Sequence, residues 1–162
     1  MSINDHDSAV IDFKWSHHDP SQGTANQSGV GFIISLSKDQ TVKVFNIAKS
    51  QSECVFTLRH ECPIISLGLS PDNQLLAVGG QNSEIFIWSI KEQKMIRCFE
   101  RLPNDPTQDV SMAGDTITEI TDINWSFDGT LVAAGYEKTL VMLDMKKILS
   151  QSVETLLQEN NK

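Results

Sequence analysis

Residues 60–90 read HECPIISLGLSPDNQLLAVGGQNSEIFIWSI, and this stretch decides the fold. Short apolar segments alternate with turn chemistry, such as the Ser-Pro-Asp-Asn sequence at 70–73. Proline at the second position of a four-residue segment is typical of type I and type II turns. The pattern predicts four consecutive β-strands, which are Ile64–Leu69, Leu75–Gly79, Glu84–Ile90 and Lys94–Phe99.

The same series of strands recurs on both sides of this stretch. A serine follows the first strand of each series, at positions 16, 70 and 126. Agreement among three separate stretches predicts a structural repeat, here with bounds of about 6–58, 60–99 and 117–145. The further predicted strands are Val10–Trp15, Val30–Leu36, Thr41–Ile47, Cys54–Leu58, Ile120–Trp125, Leu131–Gly135 and Thr139–Met145.

A four-stranded antiparallel sheet cannot bury both of its faces alone, whereas radial stacking buries the faces between neighbours. The sequence therefore predicts an all-β fold, a partial β-propeller of about three four-stranded antiparallel blades that forms an open arc. The propeller domain spans residues 1–147, and residues 148–162 are predicted to form a short C-terminal amphipathic helix. The third repeat shows only three strands, which favours self-association or completion of the arc by another chain.

The repeats resemble those of the WD-repeat family in AVIDFKWSHHDPSQGTANQSGVGFIISLSKDQTVKVFNI (9–47), VFTLRHECPIISLGLSPDNQLLAVGGQNSEIFIWSI (55–90) and ITDINWSFDGTLVAAGYEKTLVMLDMKK (120–147). The long polar insertion in the first of these is similar to the C-terminal repeats of the transducin-β-like corepressor subunits. WD repeats carry a histidine before the first strand, a serine or threonine in the second, a turn aspartate and a final Trp-Asp. The resemblance implies a hydrogen-bonded network of these side chains, which here would comprise His6, Ser35, Asp39, His60, Trp88, Asn82 and Asp144.

The resemblance implies a protein–protein interaction scaffold in a nuclear transcriptional corepressor complex with a histone deacetylase. Its expected partners are corepressor complex subunits, with histone tails as a further candidate. A generic WD-repeat adaptor, such as the substrate receptor of a ubiquitin ligase, is the alternative, followed by a small-ligand-binding or enzymatic propeller. The loops that cluster on one face in this family indicate candidate partner-binding residues, which are Lys38, Gln40, Arg59, Glu61, Asn82 and Lys138.

Composition argues against several other classes of function. The net charge of −8 disfavours binding to nucleic acid or anionic membranes, although it suits a basic partner such as a histone tail. Three cysteines without CxxC spacing predict free thiols in a reducing, intracellular compartment. His17 and His18 lack carboxylates at ligand spacing, and Gly79-Gly80 lacks the GxGxxG pattern of a phosphate-binding loop. The sequence predicts no enzymatic activity, no metal site and no cofactor.

Overall fold

A computed structural model describes residues 2–16, 29–48, 52–99, 119–136 and 138–150. Within these ranges the chain forms antiparallel β-strands and one short helical segment at 145–150. The strands are β1 (Val10–Trp15), β2 (Gly29–Ser37), β3 (Thr41–Ala48), β4 (Ser52–Arg59), β5 (Ile64–Leu69), β6 (Leu75–Gly80), β7 (Ile85–Ser89), β8 (Lys94–Phe99), β9 (Ile120–Trp125), β10 (Leu131–Tyr136) and β11 (Thr139–Asp144).

The strands form three separate sheets, in which each strand pairs with its neighbour in the chain. The sheet orders are β1-β2-β3-β4, β5-β6-β7-β8 and β11-β10-β9, which we call blades 1, 2 and 3. The predicted all-β fold, a partial propeller of antiparallel blades, is confirmed, with four, four and three strands in the described residues. Between the antiparallel neighbours within each blade, except β1 and β2, connections of a few residues account for this simple meander.

The serine that follows the first strand of each blade is hydrogen-bonded to the second strand. Its hydroxyl oxygen accepts from the backbone N–H of the first residue of β6 and of β10, and from that of the fourth residue of β2. The pairs are Ser16 with Phe32 at 3.1 Å, Ser70 with Leu75 at 2.9 Å, and Ser126 with Leu131 at 2.9 Å. A hydroxyl that satisfies a backbone group in this way stabilises a turn, which explains why serine recurs at this position.

Blades 1 and 2 pack face to face through aliphatic side chains. Blade 1 contributes Ile34 and Val42, which are fully buried, and blade 2 contributes Leu67, Leu76 and Val78. Because full burial of each such side chain is worth about 1.5 to 3 kcal/mol, this contact is a main source of stability. The first strands of the two blades also meet directly, where Asp12 Oδ2 accepts a hydrogen bond from the backbone N–H of Leu67 at 3.3 Å.

Blades 2 and 3 approach more closely, because small residues line blade 2 at their contact. A Cβ atom placed on Gly79 would lie 2.9 Å from Ile120 Cγ2 and 3.0 Å from Ile123 Cδ1. Nearby, the indole Nε1 of Trp125 donates a hydrogen bond to the backbone carbonyl of Gly68 at 2.9 Å. Glycine at these two positions therefore lets the third blade sit directly against the second.

We expect that Gly79→Ala lowers the free energy of unfolding by about 1 to 2 kcal/mol, because overpacking of a filled core forces its neighbours to shift. Gly135→Ala is the matched control, since strand register places Gly135 at the same position of blade 3. A Cβ there would meet only the hydroxyl of the exposed Thr121 within 3 Å. Urea unfolding monitored by circular dichroism measures both effects, and equal losses would contradict the close packing of Gly79.

The helical segment at 145–150 begins three residues before the predicted tail at 148. The cause is Asp144, whose Oδ1 accepts hydrogen bonds from the backbone N–H groups of Lys146 at 3.0 Å and Lys147 at 3.2 Å. Aspartate is a preferred residue at a helix N-terminus for this reason. Met145, predicted as the last strand residue, is instead helical and buried against blades 2 and 3. The predicted tail beyond residue 150 lies outside the described residues.

Candidate functional site

In blade 1, His6 contacts strand β2 and the turn between β2 and β3 through the two nitrogens of its ring. Nδ1 lies 3.0 Å from Asp39 Oδ2, and Nε2 lies 2.6 Å from Ser35 Oγ. Because a carboxylate only accepts hydrogen bonds, Nδ1 carries a proton in this contact. The structure thus brings together the three residues that the resemblance implied for the first repeat.

Asp39 is the centre of this cluster and receives further hydrogen bonds. Its carboxylate accepts from the backbone N–H of Asp7 at 2.9 Å, the backbone N–H of Thr41 at 2.9 Å and the Thr41 hydroxyl at 2.5 Å. Burial opposes ionisation, but hydrogen bonds from Thr41, Asp7 and His6 outweigh it and hold the pKa of Asp39 well below its ordinary value. The charged carboxylate therefore ties the N-terminal segment to the turn between β2 and β3.

The second repeat has a different arrangement, because two of the polar positions have changed. Strand register places Val78 where blade 1 has Ser35, and Asn82 takes the turn position of Asp39. The Asn82 side chain is exposed to solvent. As a result, the ring nitrogens of His60 have no hydrogen-bond partner among the described residues.

His60 is held by packing instead. Its ring contacts Phe86 and Trp88 edge to face, with centroid separations of 5.0 and 5.5 Å, and Trp88 Nε1 is also unpartnered within the described ranges. Burial lowers the pKa of His60 to about 4. Asp144, implied for the network of the third repeat, serves as the helix cap described above. The hydrogen bonds of histidine to serine and aspartate therefore form in blade 1, and aromatic packing replaces them in blade 2.

The turns at one end of the blades form a continuous surface. The carbonyl of Gln40, in the turn between β2 and β3, accepts a hydrogen bond from the backbone N–H of His60 at 3.1 Å. This bond brings the exposed Lys38 next to the connection between blades that carries Arg59 and Glu61, both exposed. Four of the six candidate partner-binding residues therefore lie together.

The same surface continues across blades 2 and 3. The backbone N–H of Gln81 donates to the carbonyl of Pro63 at 2.8 Å, and the Gln81 side chain donates to Glu119 Oε1 at 2.5 Å. The Tyr136 hydroxyl donates to the carbonyl of Ser83 at 3.4 Å, which joins the turns of blades 2 and 3. We call this surface the rim, and it comprises residues 38–40, 59–63, 81–83, 119, 136 and 138.

The rim contains all six candidates, together with two residues that the sequence did not indicate. Gln81 and Glu119 link blade 2 to blade 3 there, and the only available signal was that Gln81 precedes Asn82 in the same turn. Among the described residues, the exposed charged side chains of the rim are three basic and two acidic ones, namely Lys38, Arg59, Lys138, Glu61 and Glu119, whereas the carboxylate of Asp39 is mostly buried. The excess of acidic residues that gives the chain its net charge of −8 therefore lies elsewhere.

Within the described ranges, no group of three or more His, Cys, Asp or Glu side chains could hold a metal ion. His17 and His18 lie outside these residues. None of the three cysteines forms a disulfide bond, and burial raises the pKa of the Cys62 thiol to about 12, which makes it a poor nucleophile. No helix of this part of the chain is long and apolar enough to cross a bilayer.

Comparison with protein families matches residues 52–89 to the WD domain, G-beta repeat. The matched segment runs from β4 of blade 1 to β7 of blade 2. It thus spans the junction between two blades, including His60 and Trp88. The match supports the predicted WD repeats over this segment.

The chain is similar to WD-repeat proteins over most of its length. The ribosome biogenesis protein WDR12 homologue of Drosophila mojavensis is 28% identical over 123 residues, which are 71% of this chain and 29% of that protein. The Drosophila virilis homologue is 29% identical over 124 residues, with 72% and 29% covered. WD repeat-containing protein 1 of Mus musculus is 23% identical over 110 residues, with 67% and 16% covered. The chain spans less than a third of the length of these relatives, and they lend no support to the corepressor resemblance.

Proposed function

We propose that this WD-repeat chain is a protein-binding scaffold, with the rim as its contact surface. The observation that carries the proposal is the row of hydrogen bonds from Gln40 to Tyr136, which fixes the rim turns of all three blades to one another. Exposed charged side chains held on such a rigid framework can bind a partner without a large ordering cost. The blades supply the framework, and the turns supply the recognition groups.

The charges of the rim favour a folded protein surface over a basic tail. A lysine-rich tail would meet Lys38, Arg59 and Lys138 as like charges, and such contacts disfavour binding. A partner with acidic groups opposite these three residues, and a basic group opposite Glu61, fits the rim better. The overall acidity of the chain would then serve solubility.

We further propose that this partner belongs to an assembly that functions in ribosome biogenesis. Support comes from the relatives above, whose names refer to that process and which cover 71% and 72% of this chain. The nuclear location expected from the sequence fits such an assembly. Contact through protein rather than RNA is consistent with the net charge of −8.

Reversing the three basic charges of the rim is expected to weaken partner binding at least about tenfold, because the loss of a few charge pairs totals about 1.4 kcal/mol or more. The variant combines Lys38→Glu, Arg59→Glu and Lys138→Glu. We would measure the fraction of the tagged chain that co-sediments with pre-ribosomal particles in a sucrose gradient. The matched control reverses the exposed residues Lys91, Lys94 and Arg97, which lie in and beyond the β7–β8 turn at the opposite end of the blades.

The outcomes separate the two parts of the proposal. A wild-type chain that stays at the top of the gradient would overturn the assignment to ribosome biogenesis. A rim variant that co-sediments as well as wild type, or a control that is lost equally, would overturn the rim as the contact surface. The proposal expects loss of the rim variant alone.

A further inference from the structure

Two sheet faces have no neighbouring sheet among the described residues, one at each end of the row of blades. The face of blade 1 that carries Phe13, Trp15 and Ile33 is the first, which we call the leading face. Phe13 is 56% exposed and Trp15 is 48% exposed, although residues 3–6 border the same face. Apolar side chains of this size are normally covered in a soluble protein.

The other uncovered face belongs to blade 3 and carries Leu140 and Met142 on β11, with Asp122 and Asn124 on β9. We call it the trailing face. Leu140 is 66% exposed and Met142 is 52% exposed. The trailing face is therefore also apolar along β11, which is an edge strand of its sheet.

Strand register shows that the two faces are the two halves of one junction. Leu140 and Met142 take the positions that Ile85 and Ile87 hold in blade 2, where blade 3 buries both completely. On the leading face, Phe13 takes the position that Leu67 holds in blade 2, where blade 1 buries it. The chain therefore carries both sides of such a junction, the leading face on blade 1 and the trailing face on blade 3.

The hydrogen bonds between the first strands of the blades repeat in the same way. The side chain of the third residue in the first strand accepts a hydrogen bond from a backbone N–H of the next blade. Asp12 accepts from Leu67 at 3.3 Å, and Ser66 accepts from Ile123 at 3.1 Å. By register, the next acceptor in this series is Asp122, and its donor is the backbone N–H of Phe13. That N–H also donates to Asp12 Oδ1 at 2.7 Å, just as the N–H of Ile123 is shared between Ser66 and Asp122 Oδ1.

The tryptophans that end β1 and β9 extend this match. Trp125 donates from its indole Nε1 to the carbonyl of Gly68 in the preceding blade. Trp15 holds the same position in blade 1, where it is half exposed. The carbonyl that corresponds to that of Gly68 on the trailing face belongs to Asn124.

We propose that the chain associates head to tail with a second copy of itself, with the trailing face of one copy packed on the leading face of the other. Leu140 and Met142 of one copy cover Phe13 of the other, and the indole of Trp15 donates to the carbonyl of Asn124. Such a contact is heterologous, so it either closes a ring of two copies or continues into longer chains. A second copy is the occupant because this chain carries both halves of the junction.

Two substitutions block one face each and so test the contact directly. Met142→Glu blocks the trailing face and Phe13→Glu blocks the leading face, while Met95→Glu, on the outer strand of the middle blade, is the matched control. Sedimentation velocity at chain concentrations up to about 100 µM measures association, and these concentrations detect a Kd in the micromolar range. We expect wild type and control to associate, each blocked variant alone to remain monomeric, and an equimolar mixture of the two to form a 1:1 dimer and nothing larger.

The mixture is decisive because it retains one intact leading face and one intact trailing face. Circular dichroism and thermal unfolding establish beforehand that both variants fold like wild type. Three results would overturn the proposal: a wild-type chain that is monomeric throughout, a blocked variant that associates as wild type does, or folded variants whose mixture stays monomeric. None of the substituted residues lies on the rim, so the outcome is independent of the proposed function.

Discussion

Replacing Asp39 with alanine is expected to lower the free energy of unfolding by about 3 to 4 kcal/mol. The substitution removes the acceptor for His6, for both donors of Thr41 and for the backbone N–H of Asp7. Each hydrogen bond to a charged group contributes about 1.5 to 3 kcal/mol, and a buried donor left without a partner adds a penalty. Loss of several such bonds at once places Asp39→Ala among the most destabilising single changes.

Urea unfolding followed by circular dichroism measures this loss. Asn82→Ala is the matched control, because Asn82 has the same turn position in blade 2 but an exposed side chain. We expect its effect to stay within about 0.5 kcal/mol, as for other exposed sites without special contacts. Equal effects at the two positions would show that the network of blade 1 contributes nothing particular to stability.

The second large effect is a loss of stability at acidic pH that originates in His60. The ordinary pKa of histidine is 6.5, and burial lowers the pKa of His60 in the folded chain to about 4. Between these values the unfolded chain binds the proton more readily, so stability falls as the pH decreases from 6.5 to about 4 and the loss is complete below that. A difference of this size corresponds to about 3 kcal/mol.

His60→Phe should remove this part of the pH dependence, because phenylalanine does not titrate and can keep the edge-to-face contacts with Phe86 and Trp88. The measurement is the difference in unfolding free energy between variant and wild type at several pH values. Acidic residues titrate in both proteins, so their contribution cancels. We expect the variant to gain about 3 kcal/mol relative to wild type between pH 7 and pH 4, whereas a constant difference would contradict the buried, neutral His60.

The strands were predictable from sequence because the same pattern of strands and turns occurs three times in the chain. The bounds of β1, β5, β8 and β9 agree with the predicted strands at both ends, since turn residues flank each of them. The helix start was missed by three residues, because Asp144 could be read either as the final aspartate of a repeat or as a helix cap. Only the structure shows which backbone groups that carboxylate meets.

The polar site was less predictable than the fold. His6 and His60 occupy equivalent positions in the sequence, yet only His6 has a serine and an aspartate within reach. Val78 contributes to this difference, and strand register is needed to see that it holds the position of Ser35. Likewise, the link from Gln81 to Glu119 joins residues 38 positions apart, which no local pattern indicates.

The resemblance to corepressor subunits shows that a repeat can identify a fold without identifying the partner. It rested mainly on the long polar insertion of the first repeat, which lies outside the described residues, and on blade-building residues such as the strand-ending Trp15, which serve any propeller of this kind. A fold hosts many functions, and partner choice depends on the surface residues between the strands. The rim turns, rather than the repeat positions, are therefore the place to look for function.

The most direct test of the rim as contact surface is lysine-reactive cross-linking of the chain within its purified assembly, read by mass spectrometry. Lys38 and Lys138 lie on the rim, whereas Lys91 and Lys94 flank the β7–β8 turn at the opposite end, and all four are exposed. We expect cross-links to the partner from Lys38 and Lys138 and none from the other two. Cross-links from Lys91 and Lys94, with Lys38 and Lys138 unlinked, would contradict a scaffold that binds through its rim.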